Sequence, residues 1–114
     1  MAISEIDAFR AEKLLQAFCE ARVSTAVRNQ VELLVRQDGD AFELYERRPY
    51  FRDPAIHTES PIARFAYDAA NSAWMLLWSN QHGDWHFFED GVPDQDISVL
   101  IRRVDKDETG IFWG

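Results

Sequence analysis

Apolar residues recur along this chain first at helical and then at strand spacing. Ile6, Phe9, Leu14, Ala17, Phe18 and Ala21 recur at helical spacing, opposite Arg10, Glu12, Lys13, Gln16 and Glu20. This predicts an amphipathic helix of about five turns, ending near Arg22. Ser4 is its expected cap, since a hydroxyl can accept from the free N–H groups of a first turn, and Glu5 and Asp7 suit its positive end. From Gln30 the period falls to two. Val31, Leu33 and Val35 share one face, and Glu32, Leu34 and Arg36 the other. Asp38-Gly39-Asp40 reads as a hairpin turn, because glycine tolerates the positive φ such turns need. The return strand sets Phe42 and Leu44 against Glu43, Tyr45 and Arg47, with Glu46 and Arg48 continuing the Phe42 face. A carboxylate that extends an apolar stripe needs a partner if it is buried.

Residues Pro49 to Pro61 hold three prolines and no periodicity, so they read as a long connection, a type that tends to be functional or tightly self-packed. Ile62 to Ala70 is the expected third strand, with Ala63, Phe65, Tyr67 and Ala69 on one face. After a turn at Asn71-Ser72, Trp74 to Trp78 is apolar on both faces, as a strand covered on both sides would be. Asn80 to Asp84 turns again, and Trp85 to Phe88 is the fifth strand. Asp94 or Asp96 caps a second helix, whose stripe is Ile97, Leu100, Ile101 and Val104. Gly110 to Gly114 is an apolar tail expected to dock on the rest. The predicted class is α+β: a five-stranded antiparallel meander sheet with an N-terminal and a C-terminal helix packed on it, in a single domain spanning 1–114. Two helices cover one face of such a sheet. The other would carry Leu34, Tyr45 and some of the tryptophans, and a bare apolar face suggests a partner or a second copy.

Composition narrows the function. The net charge is −8, and residues 84–114 carry eight acids against three bases. Residues 21–83 are nearly balanced, with eight acids against seven arginines and no lysine. Non-specific adhesion to nucleic acid needs an excess of positive charge, so a nucleic-acid partner is expected only if single-stranded and specific. No apolar run approaches the roughly 18 residues of a membrane span. Cys19, alone in the chain, reads as a small core residue with no histidine nearby in sequence to activate it. The N-terminus has no secretion-signal pattern, so the expected compartment is the cytoplasm.

The densest chemistry lies at Glu46-Arg47-Arg48-Pro49-Tyr50-Phe51-Arg52-Asp53-Pro54. Arginine offers a planar fork that pairs carboxylates and phosphates bidentately. Two readings are open. In one, Arg48, Arg52 and Arg64 donate to an anion while Tyr50 or Phe51 supplies a stacking platform. In the other, Glu46 and Asp53 neutralise Arg48 and Arg52 and fix the loop. His82 and His86 span a turn rather than a helix face, and no cysteine pair supports zinc. Asp105-Lys106-Asp107 lacks the glycine and distal glutamate of a calcium loop. No triad context, phosphate-cradling glycine loop or dinucleotide fingerprint occurs, so neither metal nor cofactor is expected.

Several pieces together resemble a bacterial family, the domain-of-unknown-function family numbered 3024. They are Glu46-Arg47-Arg48-Pro49 with Arg52-Asp53-Pro54; Pro61, Ala63 and Tyr67; Trp74, Trp78 and Trp85; and Val104-Asp105, Asp107, Gly110, Phe112 and Gly114. The resemblance spans nearly the whole chain. It departs at Arg64, where lysine is usual, and at Arg47, so a bidentate role carries over more safely to Arg48 and Arg52. It implies size and layout and no activity. The function expected from the residues is a non-enzymatic binding or interaction module, using the arginine and aromatic loop and the sheet face to engage a protein or anionic partner, or a second copy as a homodimer. The rivals are a small phosphate-ester or nucleic-acid-processing enzyme, with Glu46 or Asp53 as base, and a structural subunit of a complex.

Overall fold

The computed structural model describes residues 3–23 and 31–113. Helix α1 spans Glu5–Arg22. Five strands follow: β1 Glu32–Asp38, β2 Ala41–Tyr50, β3 Asp53–Asp68, β4 Ala73–Ser79 and β5 Trp85–Phe87. Helix α2 spans Ile97–Lys106. The strands pair antiparallel in chain order, as a meander. Local chemistry sets most boundaries. The Ser4 hydroxyl accepts from the Asp7 N–H at 3.1 Å, and the Asp96 carboxylate from the Ser98 N–H at 3.0 Å. Gly39 takes φ +59° in the β1–β2 turn, and Gly83 takes φ +82° between β4 and β5. At the end of α2 the Asp107 carboxylate accepts from the N–H groups of Phe112 and Trp113. Trp113 Nε1 donates to the Val104 carbonyl, so the apolar tail docks on α2, with Phe112 buried. Gly114, the last residue of that tail, and Gln30, where the strand period begins, lie outside the described residues.

The core is one layer between the helices and one sheet face. Leu33, Phe42, Leu44, Ala63, Phe65, Trp74 and Leu76 meet Ala11, Leu15 and Cys19 of α1 and Ile97, Leu100, Ile101 and Val104 of α2. Ile62 is the extra residue of a bulge opposite Leu44 and Tyr45, and it too is buried. Burial pushes the Cys19 thiol up to about 12, with the charge of Glu20 adding to it.

Two expectations need correction. The expected stripe of α1 is not the buried one: Ile6 is 64% exposed, Phe9 60% and Leu14 44%, and Ala17 and Ala21 are also exposed. Only Phe18 of that set is half-buried. The helix carries apolar residues on two faces: the larger side chains Ile6, Phe9 and Leu14 are spaced three and five apart, whereas the smaller set Ala11, Leu15 and Cys19 falls every four and forms the true stripe. End contacts fix the same rotation. The Ile3 N–H donates to Asp40 before the helix, and Arg22 pairs with Asp105 at 2.8 Å after packing over the Trp113 ring. With both ends held, Ala11, Leu15 and Cys19 face inward.

The second correction concerns Pro49 to Pro61, which form no loop. They belong to a hairpin in which β2 runs on to Tyr50, a two-residue turn occupies Phe51-Arg52, and β3 starts at Asp53. The pairing continues through Arg47↔Glu59, Arg48↔Thr58 and Pro49↔His57. Alternation marks a strand only where one face is buried. Asp53 to Pro61 are all exposed, so no apolar period marks them. β1 reaches β2 only as far as Arg47, and β4 reaches β3 only from Ala63, so the hairpin projects beyond the sheet as a two-stranded arm. It contributes to a long axis of 46 Å against 27 and 24 Å for the others.

Leu15→Ala is expected to cost about 2–5 kcal/mol in urea unfolding, and Leu14→Ala within about 0.5 kcal/mol. Equal costs would contradict the rotation of α1. Cys19 gives a second test. Its folded pKa is raised, so the folded chain holds a proton that the unfolded chain releases above pH 9. The resulting stability is complete below pH 9 and is lost as pH climbs toward 12. Aromatic-disulfide labelling at pH 8 is expected to be at least about a hundredfold slower than for the urea-unfolded chain.

Candidate functional site

The structure separates the seven candidate residues. Tyr50, Phe51, Arg52 and Asp53 form the tip of the arm. The Tyr50 and Phe51 rings meet edge-on at 5.1 Å, and the Arg52 guanidinium lies 5.4 Å from the Phe51 ring centre. Phe51 is 81% exposed. Asp53 accepts from the Ala55 N–H at 3.1 Å, closing a local turn at the start of β3, where Pro54 to Ile56 have no partner on β2. Among the described residues Arg52 has no carboxylate partner. Toward the base of the arm, Arg48 Nε pairs with Glu46 Oε1 at 2.5 Å, as the stripe-extending position of Glu46 required. Arg64 is nowhere near. It stands opposite Glu43 in the sheet, roughly 35 Å along β3 from the tip. Arg48, Arg52 and Arg64 therefore cannot donate to one anion, because Pro49 to Pro61 run as extended strand between them rather than as a long connection.

Arg64 belongs to a row that local sequence does not reveal. It bonds Glu43 at 2.5 Å and Asp38 at 3.0 Å. Glu43 also meets Arg36 at 3.5 Å, and Arg36 meets Glu59 at 3.6 Å. Signs alternate along Asp38, Arg64, Glu43, Arg36 and Glu59, so every charge has an opposite neighbour. Arg36 also lies 4.4 Å over the Tyr45 ring. The two-residue turn at Gly39-Asp40 puts Arg36 opposite Glu43, so that pair could have been read from hairpin register. Arg64 comes from the next hairpin and had no such signal.

This row crosses the sheet face that the helices leave bare. Alternation puts Leu34 and Tyr45 there, with Ala66, Met75 and Leu77, then Trp85 and Phe87. Most are half-buried and Phe87 is 54% exposed. β4 is thus covered on one side only: Trp74 and Leu76 are buried, while Met75 and Leu77 are not.

Concave sites lie elsewhere. Clefts of about 360, 370 and 440 Å³ open between α1 and β1, beside α2, and between the two helix N-termini. None is lined by a candidate residue. The His86 ring stacks on Trp78 at 5.0 Å and meets the Asn80 amide at 3.1 Å. No helix among the described residues is long and apolar enough to cross a membrane.

Fold and surface together define an α+β layer with one dressed sheet face, one bare face and a projecting β-arm. The chain belongs to the family described as Domain of unknown function (DUF3024), which it matches over residues 3–114. No curated protein and no solved structure matches it.

Arg64→Ala leaves the mostly buried Glu43 with only the longer Arg36 contact, and is expected to cost about 1–3 kcal/mol in urea unfolding. Arg52→Ala is expected to stay within about 0.5 kcal/mol. A large loss from Arg52→Ala would make the tip a structural staple.

Proposed function

We propose that this protein is a non-enzymatic interaction module, which engages a protein partner through the projecting arm and the bare sheet face. The observation that carries the reading is the arm itself. Asp53 to Pro61 are exposed without a break, and Phe51 at the turn is 81% exposed. Ordering a backbone costs about 1–2 kcal/mol per residue, and these residues recover little of it from the chain's own core. Aromatic and arginine side chains are the types that anchor protein contacts, and Phe51 and Arg52 sit together at the outermost point. A structural subunit of a complex would make the same contact permanently.

The enzyme reading has less support. Glu46 is held by Arg48, and Asp53 stands in open solvent at the tip of the arm with no cleft around it to hold a substrate. The arm is convex, whereas catalytic sites are concave.

A photo-crosslinking residue at Phe51, expressed in the native cell, tests the reading. Adducts are expected at Phe51 and not at the exposed turn residue Gln81. Arg52→Ala is expected to cut the yield about tenfold while stability stays unchanged. Equal yields at Phe51 and Gln81 would remove the arm from any recognition role.

A further inference from the structure

We infer that the occupant of the bare sheet face is a second copy of this chain, packed face to face about a two-fold axis that runs between β2 and β3. The inference rests on the interaction-module reading and names its partner.

Charge selects the occupant. In the central row, Arg36 of β1, Glu43 of β2, Arg64 of β3 and Leu77 of β4 stand side by side across the sheet. An axis parallel to the strands and midway between β2 and β3 lays Glu43 of each copy over Arg64 of the other. It also lays Leu77 over the Arg36 end of β1, where Leu34 and the Tyr45 ring add apolar surface. A two-fold contact must be self-complementary, and this row meets that condition without another protein. Arg36 and Arg64 are already neutralised by Glu43, Asp38 and Glu59 of their own copy, so a second sheet over this row orphans neither of them. Arg47 stands on the same face without an ion pair among the described residues, too little free positive charge to hold a nucleic-acid strand. It lies opposite Glu59 in register, and the axis therefore lays it over Glu59 of the other copy.

Area sets the strength of the contact. The axis overlaps β1 to β4 of one copy with β4 to β1 of the other, and four strands about 4.8 Å apart and some seven residues long give a footprint of roughly 450 Å². β2 runs from Arg48 to Tyr50 beyond the end of β1, so the arm adds about 100 Å². The sum is smaller than the roughly 800 Å² per partner of stable complexes, which makes this a reversible dimer that forms toward the upper end of the micromolar range. Aligned sheets pack about 10 Å apart, a spacing that side chains such as Leu77, Met75 and Tyr45 can fill.

Sedimentation equilibrium of the full chain between 1 and 100 μM is the first test. A dimer is expected, and a monomer throughout overturns the inference. Glu43→Arg alone and Arg64→Glu alone are each expected to weaken the dimer at least tenfold. Their equimolar mixture is expected to restore it, because the Glu43→Arg face then meets the Arg64→Glu face with opposite signs at both central positions. Two folded variants, verified by circular dichroism, that stay apart when mixed would overturn the geometry. Should either variant fail to fold, Leu77→Arg replaces it: this half-exposed position lies outside the ionic row, and the variant is expected to be a monomer. A dimer unaffected by Leu77→Arg places the contact elsewhere and overturns the inference. A monomeric wild type that still forms Phe51 adducts with another protein removes the second copy and leaves the interaction-module reading standing. A dimer with no Phe51 adduct to any other protein removes the arm's separate partner and leaves the face-to-face contact standing.

Discussion

Phe42, Leu44, Ala63, Phe65, Trp74 and Leu76 stand on one face of the sheet, and both helices pack against them. Side chains in a strand alternate, so each residue given to that core turns its neighbours the other way. With two helices on one side, Glu43, Tyr45, Arg64, Ala66, Met75 and Leu77 must face outward. Everything distinctive about the surface follows from this one-sided covering. The bulge at Ile62 preserves it, because an extra residue in β3 keeps Ala63 and Phe65 in the core while the arm continues with its own register.

An outward face made only of apolar residues would invite indiscriminate association. The row from Asp38 through Arg64, Glu43 and Arg36 to Glu59 keeps it polar at the centre. Pairing each charge with an opposite one lets Glu43 and Arg64 sit mostly out of water, their side chains 16% and 22% exposed. Isolated ions there would be costly, whereas this chain of contacts is self-satisfied. The arm's open edges meet a related problem, since unpaired strand edges recruit other strands. Pro49, Pro54 and Pro61 cannot donate along those edges, which limits such pairing while leaving the tip open for contact.

Arm and face place two kinds of surface on one small protein. The arm is convex, aromatic and arginine-tipped; the face is broad, half-buried and electrically balanced. Both lie within residues 3–114, the stretch that matches Domain of unknown function (DUF3024). The separation of Arg64 from Arg48 and Arg52 matters here, because one anion cannot bridge groups tens of ångströms apart. The tip presents Phe51 and Arg52, and the face presents a row of alternating signs.

The meander, the hairpin turn at Gly39, the Ser4 and Asp96 caps, the stripe of α2 and the bare face with Leu34 and Tyr45 were all legible along the chain. Each rests on residues close in sequence, where helical and strand periods and turn chemistry act. The rotation of α1 was obscured by side-chain size: Ile6, Phe9 and Leu14 are the more hydrophobic set but stand three and five apart, whereas Ala11, Leu15 and Cys19 fall every four, and contacts from Asp40 and Asp105 hold that face inward. The arm was hidden because a strand with both faces in water carries no hydrophobic period. The ionic row was hidden because Arg64 meets Asp38 and Glu43 only after the second hairpin aligns, at sequence separations of 26 and 21. Local residues chose the elements; long-range register chose which side chains meet, because pairing across strands depends on partners that no short stretch contains.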